Sequence, residues 1–272
     1  MRPAYLAVRV SPVGPLLRLR QFLDQTKFFG SGLCRWNASG CLAVYRGKMS
    51  VLRAHGLCKV YGHDAAGVEA VRGVDLELSP GECVAVVGPS GCGKSTLLHL
   101  CGGMDRPTAG TVAVEGVDLS TLDDDALTTL RRDRIGFVFQ FFNLLPTLTL
   151  SENIALPLLL AGAPPASSAA RARECAALVA ITHRLDHYPA EVSGGELQRA
   201  AVARAVIHRP ALIIADEPTG NLDTDNGRRV LELLHMLNLE TGVSMLLATH
   251  DHAIAEDANR VVAMRDGRVV LA

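Results

Sequence analysis

Short apolar runs framed by turn residues recur along this chain. Cys83 to Val87 is wholly apolar, Ile135 to Phe139 and 211–215 repeat the pattern, and 243–248 reads as a further strand. Runs of this length with such borders read as buried parallel strands. Between them lie longer stretches that read as helices: Lys94 to Cys101, 150–158, 168–182, Glu196 to about Val206, and 224–237. Gly162-Ala163-Pro164-Pro165 separates the second from the third. Asp123-Asp124-Asp125, ahead of Ala126 and Leu127, marks another helix start, because carboxylates favour the positive end of the helix dipole. Val51 to Val60 and Val68 to Leu78 read as strands of an antiparallel subdomain, and Thr111 to Val114 returns as a strand. Two strands close the chain near Arg260–Met264 and Arg268–Leu271. The predicted fold is α/β: a mostly parallel sheet covered on both faces, an antiparallel β subdomain and an inserted α-helical subdomain.

Three strings carry the chemistry. Gly88-Pro89-Ser90-Gly91-Cys92-Gly93-Lys94-Ser95 joins the strand at 83–87 to the next helix, and its glycines let backbone N–H groups close around a polyphosphate. This marks a P-loop NTPase core. The chain holds only four lysines (Lys27, Lys48, Lys59, Lys94) and uses arginine elsewhere. A compact ammonium at Lys94 reaches the β- and γ-phosphates where a planar guanidinium does not fit. Ser95 supplies a hydroxyl for Mg²⁺, and Thr96 a further phosphate contact. Leu212-Ile213-Ile214-Ala215-Asp216-Glu217 is a buried strand ending in two carboxylates. Asp216 is placed to hold the metal through water, and Glu217, pointing the other way, to polarise the attacking water. Val192-Ser193-Gly194-Gly195-Glu196-Leu197-Gln198-Arg199 opens a helix whose N–H donors and dipole suit a second phosphate surface. A chain with both surfaces reads as half of a two-site machine. Cys92, inside the loop, is either a thiol activated by Lys94 and the helix start, or a small hydrophobe packed beneath it.

On these strings the chain resembles the ATP-binding subunits of ABC transporters, from about Met49 to its last residue. Gly102 to Gly110, Ile135 to Thr149 and Glu152 to Leu158 are most similar to the ATPases of lipoprotein-releasing and macrolide-exporter-type systems. Val192 stands where the family usually has leucine, and Glu196 where glutamine is common; Ser193, Gly194 and Gly195 are intact. The resemblance implies ATP and Mg²⁺ as ligands, with Tyr61 stacking on adenine. Gln140 would touch Mg²⁺ or the water and report to the helical subdomain. His250, in Thr249-His250-Asp251, would contact the γ-phosphate. Ser193, Gly194 and Gly195 would meet the ATP held by a second copy, with Asn221-Leu222-Asp223 crossing the dimer interface. Two ATP would be sandwiched between two copies, driving a separate integral membrane permease from the cytoplasmic side of the cell membrane.

Charge divides the chain at Met49. Residues 1–48 carry eight Lys/Arg against one acid, Asp24, whereas 49–272 carry nineteen basic and twenty-seven acidic side chains. The mildly acidic second part argues against a nucleic-acid partner. The first part lacks a signal-peptide core and reads as a disordered tail or an overextended start, with the ATPase domain at 49–272. The chain stops directly after its last expected strand, so no C-terminal regulatory domain is expected. Seven cysteines, scattered and without C-x-x-C spacing, suit a reducing compartment rather than disulfides or zinc. No apolar run reaches the roughly 18–20 residues of a membrane span, and the best, Ile154 to Ala163, is broken by Pro157.

Two other readings compete. An ATPase acting on DNA or ribosomes calls for a coiled coil inside the domain or a second cassette, and neither is present. A non-hydrolysing scaffold that regulates a membrane complex without transport calls for loss of Glu217 or His250, and both are present. His183 and His187 are four apart but lack a third ligand, and read as ordinary helix or loop residues.

Overall fold

The computed structural model describes residues 50–62, 67–249 and 258–270. The expected tail at 1–48 and the expected switch residue His250 lie outside the described residues. β1 (Leu52–Tyr61) and β2 (Val68–Leu78) pair antiparallel, with Leu52 opposite Leu78 and Tyr61 opposite Val68. β3 (Cys83–Val87) leads through the glycine loop into α1 (Lys94–Cys101). β4 (Ala109–Val114) and the short β5 (Val117–Asp118) complete a four-stranded antiparallel sheet in the order β2-β1-β4-β5.

α2 (Asp124–Arg134) then runs into β6 (Ile135–Phe139). Three helices follow without an intervening strand: α3 (Leu150–Leu160), α4 (Pro165–Leu178) and α5 (Gly194–Val206). β7 (Leu212–Asp216), α6 (Thr224–Thr241), β8 (Ser244–Thr249), β9 (Arg260–Arg265) and β10 (Arg268–Val270) complete the described elements. The second sheet has the order β10-β9-β3-β8-β7-β6 and is parallel except for the β9–β10 hairpin.

Strand alternation explains how this sheet is covered twice. Leu212 and Ile214 of β7 pack into one core with Leu97, Leu98 and the antiparallel sheet. Ile213 and Ala215, facing the other way, join Leu150 and Ile154 of α3, Ala200 and Val202 of α5, and Val230 and Leu234 of α6. Each fully buried Leu or Ile contributes roughly 2 kcal/mol of transfer free energy. The runs at 83–87, 135–139 and 211–215 are thus apolar at every position because both faces of these strands are covered.

Helix boundaries follow local chemistry. Asp123 caps α2 by accepting from the Ala126 N–H, as the acidic triplet predicts. α3 begins at a capping box between Thr149 and Glu152, and it continues through Pro157 to Leu160, two residues past the expected end. The ring removes the N–H that would meet the Asn153 carbonyl, yet Asn153, fully buried, pins the entry to the helix through the carbonyls of Leu145 and Leu148 at 3.0 Å each. α4 starts at Pro165, earlier than expected, because proline suits the first helical turn, and it stops at Leu178 rather than at 182. Thr182–Arg184 is a separate 3₁₀ turn. α6 outlasts its expected end and terminates at Gly242, whose φ of 69° makes a left-handed stop. No helix among the described residues is long and apolar enough to cross a membrane.

Candidate nucleotide-hydrolysis site

The glycine loop is built so that only glycine fits its tightest point. Gly93 has φ 104°, and a Cβ there would overlap the carbonyl oxygen of Ala70. Gly93 is also the N-cap of α1, with no side-chain cap. The first-turn N–H groups of α1 are therefore available to a ligand, at the positive end of the helix dipole. Beside the loop lies a cavity of about 380 Å³. Ser90, Gly91, Gly93, Lys94, Ser95, Thr96 and Glu217 all line it, together with Ala70 of β2 and Gly267 in the turn between β9 and β10.

Lys94 is only 4% exposed, and its ammonium donates to the carbonyls of Gly88 at 2.9 Å and Pro89 at 3.1 Å. It also lies 3.8 Å from a carboxylate oxygen of Glu217. The Ser95 hydroxyl donates to Asp216 at 3.0 Å. Burial pushes the Asp216 carboxyl above its ordinary value, opposed by the Ser95 hydrogen bond and the nearby His99 and Lys94 charges. A hydroxyl and a carboxylate this close are hard oxygen donors of the kind that Mg²⁺ takes. A phosphate cradle with its own N–H donors and this oxygen pair fits a magnesium–nucleotide complex.

Glu217 adopts a left-handed backbone, φ 44°, immediately after β7. That conformation costs a non-glycine residue roughly 1–3 kcal/mol. It is held by a bond from the Glu217 N–H to the Ala248 carbonyl at 3.0 Å. The sharp reversal separates Glu217 from Asp216 and carries its side chain to the cavity wall. Gln140, one residue past β6, rests on the same loop: its carbonyl accepts from the Asn221 amide at 2.9 Å, and a Cβ at Gly220 would crowd its amide nitrogen at 2.7 Å.

The third string is elsewhere. Ser193, Gly194 and Gly195 do not line the cavity at the loop of their own chain. Ser193 caps α5, and its hydroxyl is committed to Glu196, donating to the carboxylate at 2.8 Å. Glu196 also accepts from the Ser193 N–H at 2.9 Å and from Arg184 at 2.8 Å. These bonds hold its carboxyl down at about 2, the Ser193 N–H contributing most. Gly195 packs against α6, where a Cβ would crowd Asn226 at 2.6 Å, while a Cβ at Gly194 would make only ordinary contacts with Leu222 and Phe142. His183 lies 3.5 Å from Glu196, and His187 faces Arg184.

Tyr61 ends β1 and stands apart from the cavity wall, 44% exposed, its hydroxyl donating to Asp105 at 2.9 Å. Of the two alternatives for Cys92, the structure has the packed one. Its side chain is 5% exposed and belongs to the core beneath the loop. Sequence reasoning missed Gln198. It is fully buried, and its amide nitrogen bonds the carbonyls of Phe139 and Pro218, next to Gln140 and Glu217 respectively. A polar residue inside the apolar stripe of an otherwise Ala- and Val-rich helix was the available signal.

A second concavity, of about 540 Å³, opens between α2 and β6 on one side and α3 and α5 on the other. Phe137, Phe139, Leu156, Pro157 and Leu160 form its apolar walls, and Arg131, Arg132 and Arg204 stand among them.

Comparison with known proteins agrees with this geometry. The family model described as ABC transporter matches residues 71–220, more than half of the chain. The lipoprotein-releasing system ATP-binding protein LolD 2 of Caulobacter vibrioides is 48% identical over 221 residues, covering 81% of this chain and 97% of that protein. LolD of Geobacter metallireducens is 47% identical over 221 residues, covering 81% and 98%. Among solved structures, a dimeric ATP-binding cassette in a post-hydrolysis state, bound to ADP and Pi, superposes with a TM-score of 0.76 at 39% identity, covering 81% of this chain and 97% of that one. The chain belongs to the ATP-binding subunits of the ABC transporter family.

Proposed function

We propose that this ATPase is the nucleotide-hydrolysing subunit of a lipoprotein-releasing type of transporter. Two copies close around two ATP and drive a separate integral membrane permease from the cytoplasmic side. The observation that carries the reading is the separation of two phosphate surfaces. The cavity at Lys94, Ser95 and Glu217 lacks the Ser193-Gly194-Gly195 helix start of its own chain, so a second copy has to supply it.

In this reading Lys94 leaves the carbonyls of Gly88 and Pro89 for the phosphates, and the N–H groups of α1 complete the cradle. Ser95 and Asp216 would hold Mg²⁺, and Gln140, on family grounds, would touch the ion or the attacking water. Mg²⁺ held there would supply neutralisation of phosphate charge while the γ-phosphoryl passes to water. Glu217, on the cavity wall, orients that water and takes its proton. A phosphate oxygen offers only acceptor lone pairs, so Ser193 has to release Glu196 to donate to it. His250 would act at the γ-phosphate on family grounds alone. The apolar concavity bounded by Leu156, Pro157 and Leu160 is the surface offered to the permease, adjacent to the Gln140 strand.

The resemblance to LolD proteins at 47–48% identity supports the lipoprotein-releasing type. Ser193→Arg tests the composite site. The monomer should bind Mg-ATP as wild type does, and the ATP-dependent dimer should disappear in light scattering. Loss of ATP binding by the monomer would remove the two-copy reading.

A further inference from the structure

Lysine is rare in this chain, four residues against twenty-three arginines. Two of the four are described, and one of these, Lys94, belongs to the phosphate cradle. The other, Lys59, lies in β1, two residues before Tyr61, and its role is not explained by the cradle. Its side chain is 14% exposed, and its ammonium donates to Asp105 at 2.6 Å and to the Arg106 carbonyl at 2.8 Å. The same nitrogen stands over the Tyr61 ring, 5.0 Å from the centroid. Asp105 uses its second oxygen to accept from the Tyr61 hydroxyl at 2.9 Å, and the Arg106 N–H donates to the first at 2.7 Å.

The placement of Asp105 gives this cluster a function. The N–H groups of Met104 and Asp105 both reach the His99 carbonyl, so Asp105 is fastened to the C-terminal end of α1. The N-terminal end of α1 is the phosphate cradle. The Thr96 side chain, in the first turn of α1, lies within electrostatic reach of the Tyr61 hydroxyl. The ring is thus fixed at its hydroxyl to a residue anchored on the helix that holds the phosphates. A planar guanidinium in place of the Lys59 ammonium would not fit between the ring and the carboxylate with the same contacts.

We infer that Asp105 and Lys59 are positioning residues for the nucleotide base: Asp105 anchors the Tyr61 ring at a fixed offset from the phosphate cradle, and Lys59 backs one face of it. The inference rests on the reading of Tyr61 as the adenine platform. Stacking falls off with ring misalignment, so a platform that is free to rotate binds a base less well than one already held. Electrostatics agree with the geometry. Burial works against ionisation of Asp105, but the bonds from Lys59, Tyr61 and Arg106 outweigh it and hold the carboxyl below its ordinary value.

The experiment compares two ligands on the full chain by calorimetry: Mg-ATP, which carries a base, and Mg-tripolyphosphate, which does not. Asp105→Ala is expected to weaken Mg-ATP about fivefold, which is about 1 kcal/mol, with tripolyphosphate affinity unchanged. In steady-state kinetics the change should fall on KM more than on kcat. Tyr61→Phe should weaken Mg-ATP by less, and Asp105→Asn, which keeps an acceptor, should recover most of the loss. Combining Tyr61→Phe with Asp105→Ala should add nothing to Asp105→Ala alone. Parallel loss of both ligands in Asp105→Ala would make Asp105 a general brace of α1 and overturn the inference. Unchanged Mg-ATP affinity in Tyr61→Ala would remove the platform reading itself. Loss in Tyr61→Ala with none in Asp105→Ala would overturn the positioning role alone.

Discussion

The amide of Gln198 donates to the Pro218 carbonyl at 2.6 Å and to the Phe139 carbonyl at 3.2 Å. One buried side chain of α5 thereby joins the Ser193 helix to the residue after Glu217 and to the residue before Gln140. The loops that carry Glu217 and Gln140 thus share one donor on the helix that Ser193 caps. The bond adds a polar link to the apolar packing between the helical subdomain and the sheet that carries the site.

Gln198→Leu should therefore lower both stability and turnover. Two carbonyls lose their donor in a buried setting, at a cost of about 1–3 kcal/mol in urea unfolding. ATP affinity of the monomer should hold, because no residue of the cradle touches Gln198. A variant that is destabilised but keeps full kcat would show that the bond only braces the fold.

Glu217 carries two predictions of opposite sign. Glu217→Gln should keep ATP binding, stop turnover, and accumulate an ATP-bound dimer visible by size measurement, since the phosphate grip is spared while the base is lost. Unchanged steady-state hydrolysis would falsify its assignment as base. Glu217→Gly should also stop turnover, yet raise stability by about 1 kcal/mol, because φ 44° is unfavourable for glutamate and free for glycine. A lower unfolding midpoint in the glycine variant would show that side-chain contacts of Glu217 outweigh the backbone strain.

The strands and the glycine loop were legible because each was specified locally. Cys83–Val87 and Ile135–Phe139 appear with the expected bounds, since runs apolar at every position admit a doubly covered strand and little else. The helix ends were less legible. The helix expected at 150–158 runs on to Leu160, and the buried Asn153 network with the packing of Leu150 and Ile154 holds it across Pro157. Site residues presented by short motifs, such as Lys94 and Ser95, could be named from spacing. Gln198, Asp105 and Lys59 could not, because their partners are long-range: Lys59 and Asp105 are 46 positions apart. The burial of Cys92 also depends on tertiary packing, here the close approach of Gly88 and Met264.

Cys92 should be a slow thiol. Its side chain is 5% exposed beneath the loop, so an alkylating reagent reaches it only when the loop opens. Peptide mapping after brief alkylation should find Cys58, which is partly exposed, modified ahead of Cys92, Cys101 and Cys175. Mg-ATP should slow modification of Cys92 further. Rapid stoichiometric labelling of Cys92 in the absence of nucleotide would restore the activated-thiol alternative.

Glu196 makes stability depend on pH with a definite sign. Its carboxyl sits at about 2 in the folded chain against an ordinary value of 4.5, with the Ser193 N–H as the largest cause and burial opposing. A group depressed by folding contributes stability that is complete above its unfolded value and is lost as pH falls toward the folded one. The window is therefore pH 4.5 down to 2. The full contribution at neutral pH is on the order of 3 kcal/mol. Glu196→Gln keeps an acceptor for Ser193 but gives up the charge facing Arg184, so it should cost about 1–2 kcal/mol at pH 7. The difference between wild type and variant should shrink steadily below pH 4.5 as the carboxylate protonates. Urea unfolding of both proteins at pH 7, 5 and 3 checks this. A gap that stays constant down to pH 3 would mean that the charge of Glu196 is not what holds the start of α5.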